Sequence, residues 1–229
     1  MLLDAGNSLV GDQDPTLKSR GATSIEAMNL LGYDAMALGA GDLALGLDVL
    51  QQHRGEARFP FLSANVVRSD TGQLLATPYI TREIGPLRLA LIGLTDVPSN
   101  PVPGLSVEDP VVAAARVVAE VRPQADLVLL LSHAGRAVDQ RVADEVPGID
   151  WIIGGGAEGM TAEPIVNERT GTVILQAGNA SVGHAGMNIG VAHVTVGADG
   201  RLPAPQWKTI ILSEGFADDP DLAKWRLSK

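Results

Sequence analysis

Cysteine is absent from the 229 residues, which excludes disulfides, a thiolate nucleophile and Cys-ligated zinc or iron–sulfur centres. Aromatic residues are scarce, 3% beside 45% hydrophobic overall. The core must therefore be built from Ala, Val, Leu and Ile, which pack well between helices and a buried sheet. Positive charge is in deficit: 17 Lys and Arg stand against 27 Asp and Glu, a formal net charge of -10. Such a surface favours solubility and disfavours nucleic acid or an anionic membrane as partner, while leaving room for a local basic pocket. No apolar run approaches the ~20 residues of a membrane span. The opening MLLDAGNSLV has no basic stretch ahead of an apolar one, so it reads as a buried strand entering a glycine turn rather than a signal peptide. The length suits one domain over residues 1–229 with a sizeable core. A chain that opens inside a core strand carries the expectation that an earlier strand has been lost.

What is present is a run of βα units followed by β-hairpins. Residues 1–5 are a short apolar strand closed by Gly6. Ile25, Met28 and Leu31 recur at helical spacing over 24–31, and Gly32 ends that helix. Residues 33–38 read as a strand, with Gly39, Ala40, Gly41 and Asp42 as the loop after it and a helix over 43–53. Another strand is expected over 61–67. Residues 78–84 alternate, Gly85 and Pro86 turn, and 87–94 is apolar throughout, a pattern for an antiparallel hairpin. Asp109 and Pro110 are a good helix start, an N-cap acceptor followed by Pro at the first helical position. The most apolar strand, 126–132, leads into His133; a helix over 138–145, a strand over 149–153 and the triplet Gly154, Gly155, Gly156 follow. Strands over 172–176, 187–196 and 206–212, a turn at 197–200 and a helix over 219–226 complete the chain. This order predicts an α/β fold of two packed sheets with helices outside. The glycine-rich loops after Ala5, Leu38, Leu131 and Ile153 fall at strand carboxyl ends, where open α/β sheets bind ligands.

The segments LLDAG (2–6), AMNLLGYDAMALG (27–39), FPFLSAN (59–65), LSHAG (131–135) and VPGIDWIIGG (146–155) together resemble the 5′-nucleotidase family. More narrowly, they resemble its N-terminal calcineurin-like metallophosphoesterase domain, as in the periplasmic UDP-sugar hydrolase/5′-nucleotidases. Order and spacing both agree over nearly the whole chain, and 218–225 resembles the family's exit from this domain. The resemblance implies a four-layered α/β/β/α metallophosphatase-type sandwich with mixed sheets. It also implies a pair of divalent metals (Mn, Zn, Co or Mg) between the sheets, activating water against a small phosphate ester. An extracytoplasmic, periplasmic setting and a second, nucleotide-gripping domain beyond this chain belong to the same picture.

The resemblance breaks at the metal ligands. The family's first Asp-x-His pair would lie before Met1. Its bridging Asp corresponds to Asn7, a neutral amide. Its Asn-His-Glu loop corresponds to Ala40, Gly41 and Asp42, so the catalytic His position is Gly41 and no catalytic residue is assigned. The next ligand His is retained as His133. The final Gly-His-x-His reads Gly155, Gly156, Ala157, Glu158, a lost imidazole and a carboxylate in place of the second. His133, Asn7 and Glu158 are thus the candidate metal donors, and Asp4, Gly6, Ala40, Asp42 and Gly156 the expected cleft lining.

Each candidate has a plainer reading. His133 after an apolar strand is commonly a packed, hydrogen-bonded residue. Asp42 suits an N-cap for the helix beginning at Leu43. Glu158 suits a solvent-facing loop, and Asp4 a scaffold role bonding nearby backbone. His184 and His193 reach the site only if the loop after Gln176 folds over it. His53 ends a helix, where the macrodipole favours a cation. The Gly154–156 triplet lacks the Lys-Ser/Thr of a P-loop and the spacing of a dinucleotide fingerprint, and no Ser sits in a nucleophile elbow. Two functions follow: a module that kept the sandwich and lost two-metal hydrolysis, or a metal-dependent phosphoester hydrolase on nucleotides or related esters with a rearranged site. An uncovered sheet edge at the lost strand would favour dimerisation.

Overall fold

The structure, a computed structural model, describes residues 1–11, 14–156, 159–178, 187–195 and 205–228. Its first half holds β1 (Leu3–Asp4), α1 (Asp14–Ser19), α2 (Ala22–Leu31), β2 (Ala35–Ala37), α3 (Ala40–Leu43), α4 (Leu47–Glu56), β3 (Phe61–Leu62), β4 (Val66–Arg68), β5 (Tyr79–Ile84) and β6 (Leu87–Leu94). After it come β7 (Leu105–Val107), α5 (Pro110–Val121), β8 (Leu127–Ser132), α6 (Arg136–Glu145), β9 (Trp151–Gly154), β10 (Ile165–Val166), β11 (Val173–Gln176), β12 (Asn188–His193), β13 (Gln206–Ile211) and α7 (Pro220–Arg226).

Strand alternation divides the core into three. In β6, Leu89 and Leu91 face one way while Ala90, Ile92 and Leu94 face the other; in β8, Leu127, Leu129 and Leu131 oppose Val128 and Leu130. Successive side chains of a strand point to opposite faces, and strands buried on both faces read as continuous apolar runs. The first set meets Ala35, Ala37 and Leu62 from β2 and β3. The second set packs on Val111, Ala114 and Val118 of α5 and Val142 of α6. Beyond the smaller sheet, Met36 and Phe61 pack on Ile25 and Met28 of α2 and Leu50 of α4. Helix, sheet, sheet, helix is the expected four-layered α/β/β/α sandwich.

The small sheet is parallel, in the order β1-β2-β3; the large one runs β10-β11-β9-β8-β6-β5, parallel at its centre with antiparallel edges. Register brings Leu94, Ser132, Gly154 and Gln176 level at one rim. The loops that carry the chemistry leave from these carboxyl ends. The two sheets approach closely at Gly93, where a Cβ would stand 2.5 Å from the Leu62 backbone and its Cβ.

The β5–β6 hairpin forms as read, with Ile84 opposite Leu87. Asp109 caps α5 by accepting the Val111 and Val112 N–H groups at 2.9 and 3.2 Å. Other readings are corrected. The expected strand 61–67 is two strands in different sheets, because Asn65 turns its amide inward onto Thr95. The expected helix 43–53 is α3 and α4, broken at Gly46 with φ of 87°. Helix α1 and the short strands β7 and β10 carry too few periodic residues to be read from pattern. The turn expected at 197–200 lies outside the described residues. Among the described residues no helix is long and apolar enough to cross a membrane.

Gly93→Ala forces either Leu62 or the sheet spacing to shift. We expect a loss of about 1–3 kcal/mol in urea-measured stability, whereas Gly55→Ala in α4, with nothing near its Cβ position and no left-handed φ, costs less.

Candidate functional site

Three glycine turns converge on one imidazole. His133 follows β8 and its backbone N–H donates to Leu94 O at 2.9 Å. Its ring is 5% exposed, and Nδ1 lies 2.9 Å from Ala5 O. A carbonyl only accepts, so that contact assigns the proton to Nδ1 and leaves the lone pair on Nε2. The ring fits because its neighbours have no side chain. A Cβ on Gly6 would stand 2.9 Å from His133 Cβ, one on Gly39 2.8 Å from Cδ2, and one on Gly155 2.6 Å from Nδ1. Ser132, just before it, donates its hydroxyl to Asp139 of α6 at 2.5 Å and accepts the Ala134 N–H at 3.2 Å. These two contacts fix the turn that carries the imidazole.

The second half of the site is a set of oxygens bonded to backbone. Asp4 accepts the Gly6 N–H at 2.9 Å and the Ser8 hydroxyl at 2.6 Å, the scaffold role expected of it. Asn7 adopts φ of 64°, a left-handed conformation that Asn tolerates better than most residues. Its Oδ1 accepts the Gly41 N–H at 2.8 Å. Asp42 is sealed from solvent and accepts three N–H groups: Asn7 at 2.8 Å, Leu9 at 3.0 Å and Gly39 at 2.9 Å. It is not the N-cap residue expected from sequence. The helix begins earlier, at Ala40 with Gly39 as N-cap, and Asp42 reaches back from the third helical position. Gly156 follows in the loop after β9 with φ of 106°.

Burial pushes the Asp42 carboxyl up to about 7, against the pull of its three backbone donors; the nearby Asp4 charge adds to the rise. Burial also raises Asp4, opposed by the Ser8 hydroxyl, the Gly6 amide and His133. Two carboxyls and an imidazole thus share a poorly solvated space.

The structure brings His133, Asn7, Asp4, Gly6, Ala40, Gly41 and Asp42 together at one group of strand ends. Glu158 and His184 lie outside the described residues. His193 sits exposed at the end of β12. His53, in the last turn of α4, is 1% exposed, with Nε2 2.8 Å from Arg20 O and Nδ1 3.0 Å from Glu56 Oε2. It is a buried tie between helices rather than only a helix-end cation. Sequence reading missed Asp96, whose Oδ1 accepts the Ala40 N–H at 2.6 Å; its one signal was an acidic residue just past an apolar strand. It also missed Asp139 and the sealed Asn65, whose amide bridges Thr95 N and O. Among the described residues, no three His, Asp or Glu side chains come together as a metal-holding group.

Layer order, cleft position at the strand carboxyl ends and the imidazole at its centre define a metallophosphatase-type fold. No family model matches the chain. The 5′-nucleotidase of Vibrio cholerae is 30% identical over 188 residues, 73% of this chain and 33% of that protein. The structure of a 5′-nucleotidase precursor from Thermus thermophilus superposes with a TM-score of 0.82 at 27% identity, covering 99% of this chain and 48% of the other. The sulfate thiohydrolase SoxB of the same organism matches in fold, with a TM-score of 0.87 at 24% identity over 100% of this chain and 42% of its own. The chain belongs to the 5′-nucleotidase-like metallophosphoesterases. It spans about a third of the length of the first curated relatives it matches.

The Asp42 shift has a measurable sign. Its folded-state value, about 7, exceeds the ordinary 3.8, so between those limits the folded state holds a proton that the unfolded chain has released. Its stabilising contribution is complete at the acid end and is lost as pH rises through about 7. Relative to Asp42→Asn, wild-type stability is expected to fall by up to roughly 1.4 kcal/mol per pH unit in that window. Urea denaturation of both proteins across the range checks it; parallel curves would refute the assignment.

Proposed function

We propose that residues 1–229 form one 5′-nucleotidase-type metallophosphoesterase domain in which two-metal phosphoester hydrolysis is impaired or lost. The cleft then serves as a ligand-binding module for a small phosphate-containing molecule, with neither nucleic acid nor membrane as partner. The observation that carries this reading is the state of the donors. Asn7 Oδ1 accepts the Gly41 N–H and the two Asp42 oxygens accept three backbone amides between them, so an ion would have to share each of these oxygens with backbone. Ala40, Gly41 and Gly156 have no side-chain donor to offer. Asn7 and the imidazole of His133 are both neutral ligands.

A binuclear centre needs several anionic or imidazole donors to draw two dications together and to activate water between them. The described residues do not fit that requirement. A bridging carboxylate is what a dication pair demands, and a neutral amide carries no charge to offset either ion. The extracytoplasmic setting implied by the resemblance is part of the same proposal.

One observation favours the other reading, an active metal-dependent hydrolase with a rearranged site. His133 is held in the tautomer that leaves Nε2 as a lone pair, and ligating imidazoles are commonly pinned in this way by a carbonyl behind them. Elemental analysis by mass spectrometry on chelator-free protein, paired with aryl phosphate hydrolysis in manganese, zinc or cobalt, separates the two. We expect substoichiometric metal, and a background rate that His133→Ala leaves within about twofold. Stoichiometric metal with turnover abolished in His133→Ala would replace the proposal with the hydrolase.

A further inference from the structure

We propose that the consecutive amides of Gly39, Ala40 and Gly41 form a clasp that binds side-chain oxygens from separate chain segments, giving the cleft the cross-link that a bridging metal ion would otherwise supply. The inference deepens the functional proposal and rests on it for the claim that no ion ties these loops.

Three donors in a row take three oxygens of different origin. The Gly39 N–H goes to Asp42 Oδ2 at 2.9 Å, the Ala40 N–H to Asp96 Oδ1 at 2.6 Å and the Gly41 N–H to Asn7 Oδ1 at 2.8 Å. Asp42 extends the linkage by accepting Asn7 N–H on one oxygen and Leu9 N–H on the other. The loop after β1, the loop after β2 and the residue after Thr95 at the end of β6 are thereby joined. β1 and β2 belong to the small sheet and β6 to the large one, so the clasp spans both sheets at the rim where the cleft opens. Helix α3 has only four residues, and its leading amides find no acceptors within it. Asp42, Asp96 and Asn7 supply those acceptors with their side chains.

The clasp also gives a physical reason for an amide at position 7. Asp4 and Asp42 are already close enough for the Asp4 charge to raise the cost of ionising Asp42, and Asp96 sits across the same loop. A carboxylate at position 7 would add negative charge that only a bound cation would offset. An amide offers the same acceptor geometry to Gly41 without that charge. Its left-handed φ of 64° is also one that Asn holds at low cost.

Residue-resolved amide exchange by NMR, on the whole chain in a strong chelator, tests the clasp. Gly39, Ala40 and Gly41 are expected to be protected without metal. Asn7→Gly removes the oxygen while permitting the same φ; it is expected to speed exchange at Gly41 roughly tenfold or more and leave Ala40 slow. Asp96→Ala should do the converse, exposing Ala40, and Asp96→Asn, which keeps an oxygen there, should restore its protection. The melting midpoints of Asn7→Gly and Asp96→Ala should fall by roughly 2–8 °C, equally with chelator and with manganese. Open-loop exchange rates at all three amides in chelated wild type, or rates that neither variant changes, would overturn the clasp. The two proposals fail separately. A metal-loaded, active protein whose amides stay protected after chelation defeats the functional reading and the clasp's role in place of a metal, while the hydrogen-bonded clasp itself stands. A metal-free, inactive protein with unprotected amides defeats only the clasp.

Discussion

Asp42 lies where solvent cannot reach it, and a carboxyl so placed needs donors on both oxygens. It finds them in the Gly39, Asn7 and Leu9 amides, which lie on two loops far apart in sequence. That one group sets the path of the chain after β1 and the backward start of α3, and it brings Asn7 to where its amide meets Gly41. If Asp42 were differently placed, Leu9 would lose its anchor above the helix layer. The remaining cleft contacts presuppose the loop positions that it imposes. Its cost is desolvation: burial, joined by the Asp4 charge, outweighs three hydrogen bonds and raises its pKa to about 7.

The cleft depends equally on space. Two sheets can close on each other only where side chains stay small, and Gly93 against Leu62 is such a place. At the rim the same economy repeats around His133, lodged against Gly6, Gly39 and Gly155. Glycine there has two consequences. It lets backbone approach an imidazole within van der Waals contact, and it leaves no side chain for coordination. Packing and ligand count are therefore coupled: the residues that let the rim close are residues that cannot hold an ion. The surrounding polar groups answer to backbone and to one another instead. Asp139 holds the Ser132 hydroxyl, and Asn65 satisfies both the N–H and the carbonyl of Thr95. Each keeps a strand end in place.

Membership of the 5′-nucleotidase-like metallophosphoesterases describes a scaffold. That scaffold superposes on a 5′-nucleotidase precursor with a TM-score of 0.82 at 27% identity. Several polar oxygens at the strand ends bond to backbone. Asp96 illustrates the point, because it brings a carboxylate to the loop containing Ala40 and Gly41 and one of its oxygens accepts the Ala40 N–H. Such contacts tie loops of different strands together through side chains of the chain itself.

Local pattern alone determined much of this protein. Apolar runs marked β6, β8 and β9, Asp109 with Pro110 marked the start of α5, and the glycine turns after strands marked the cleft. Those features act within a few residues, so a linear reading reaches them. The identities of His133 and of residues 7, 40, 41 and 156 were equally legible, because residue identity needs no geometry. Tertiary structure decided what those residues bond to. Asp42 looked like a cap for the helix after it, but its partners at Asn7 and Leu9 are 35 and 33 residues away. Asp96 carried no motif, and its contact with Ala40 spans 56 residues. The division of 61–67 between two sheets likewise followed from Asn65 reaching Thr95, 30 residues on. Hydrogen bonds between distant segments depend on how strands are brought side by side, and periodicity records only which face of each strand is apolar.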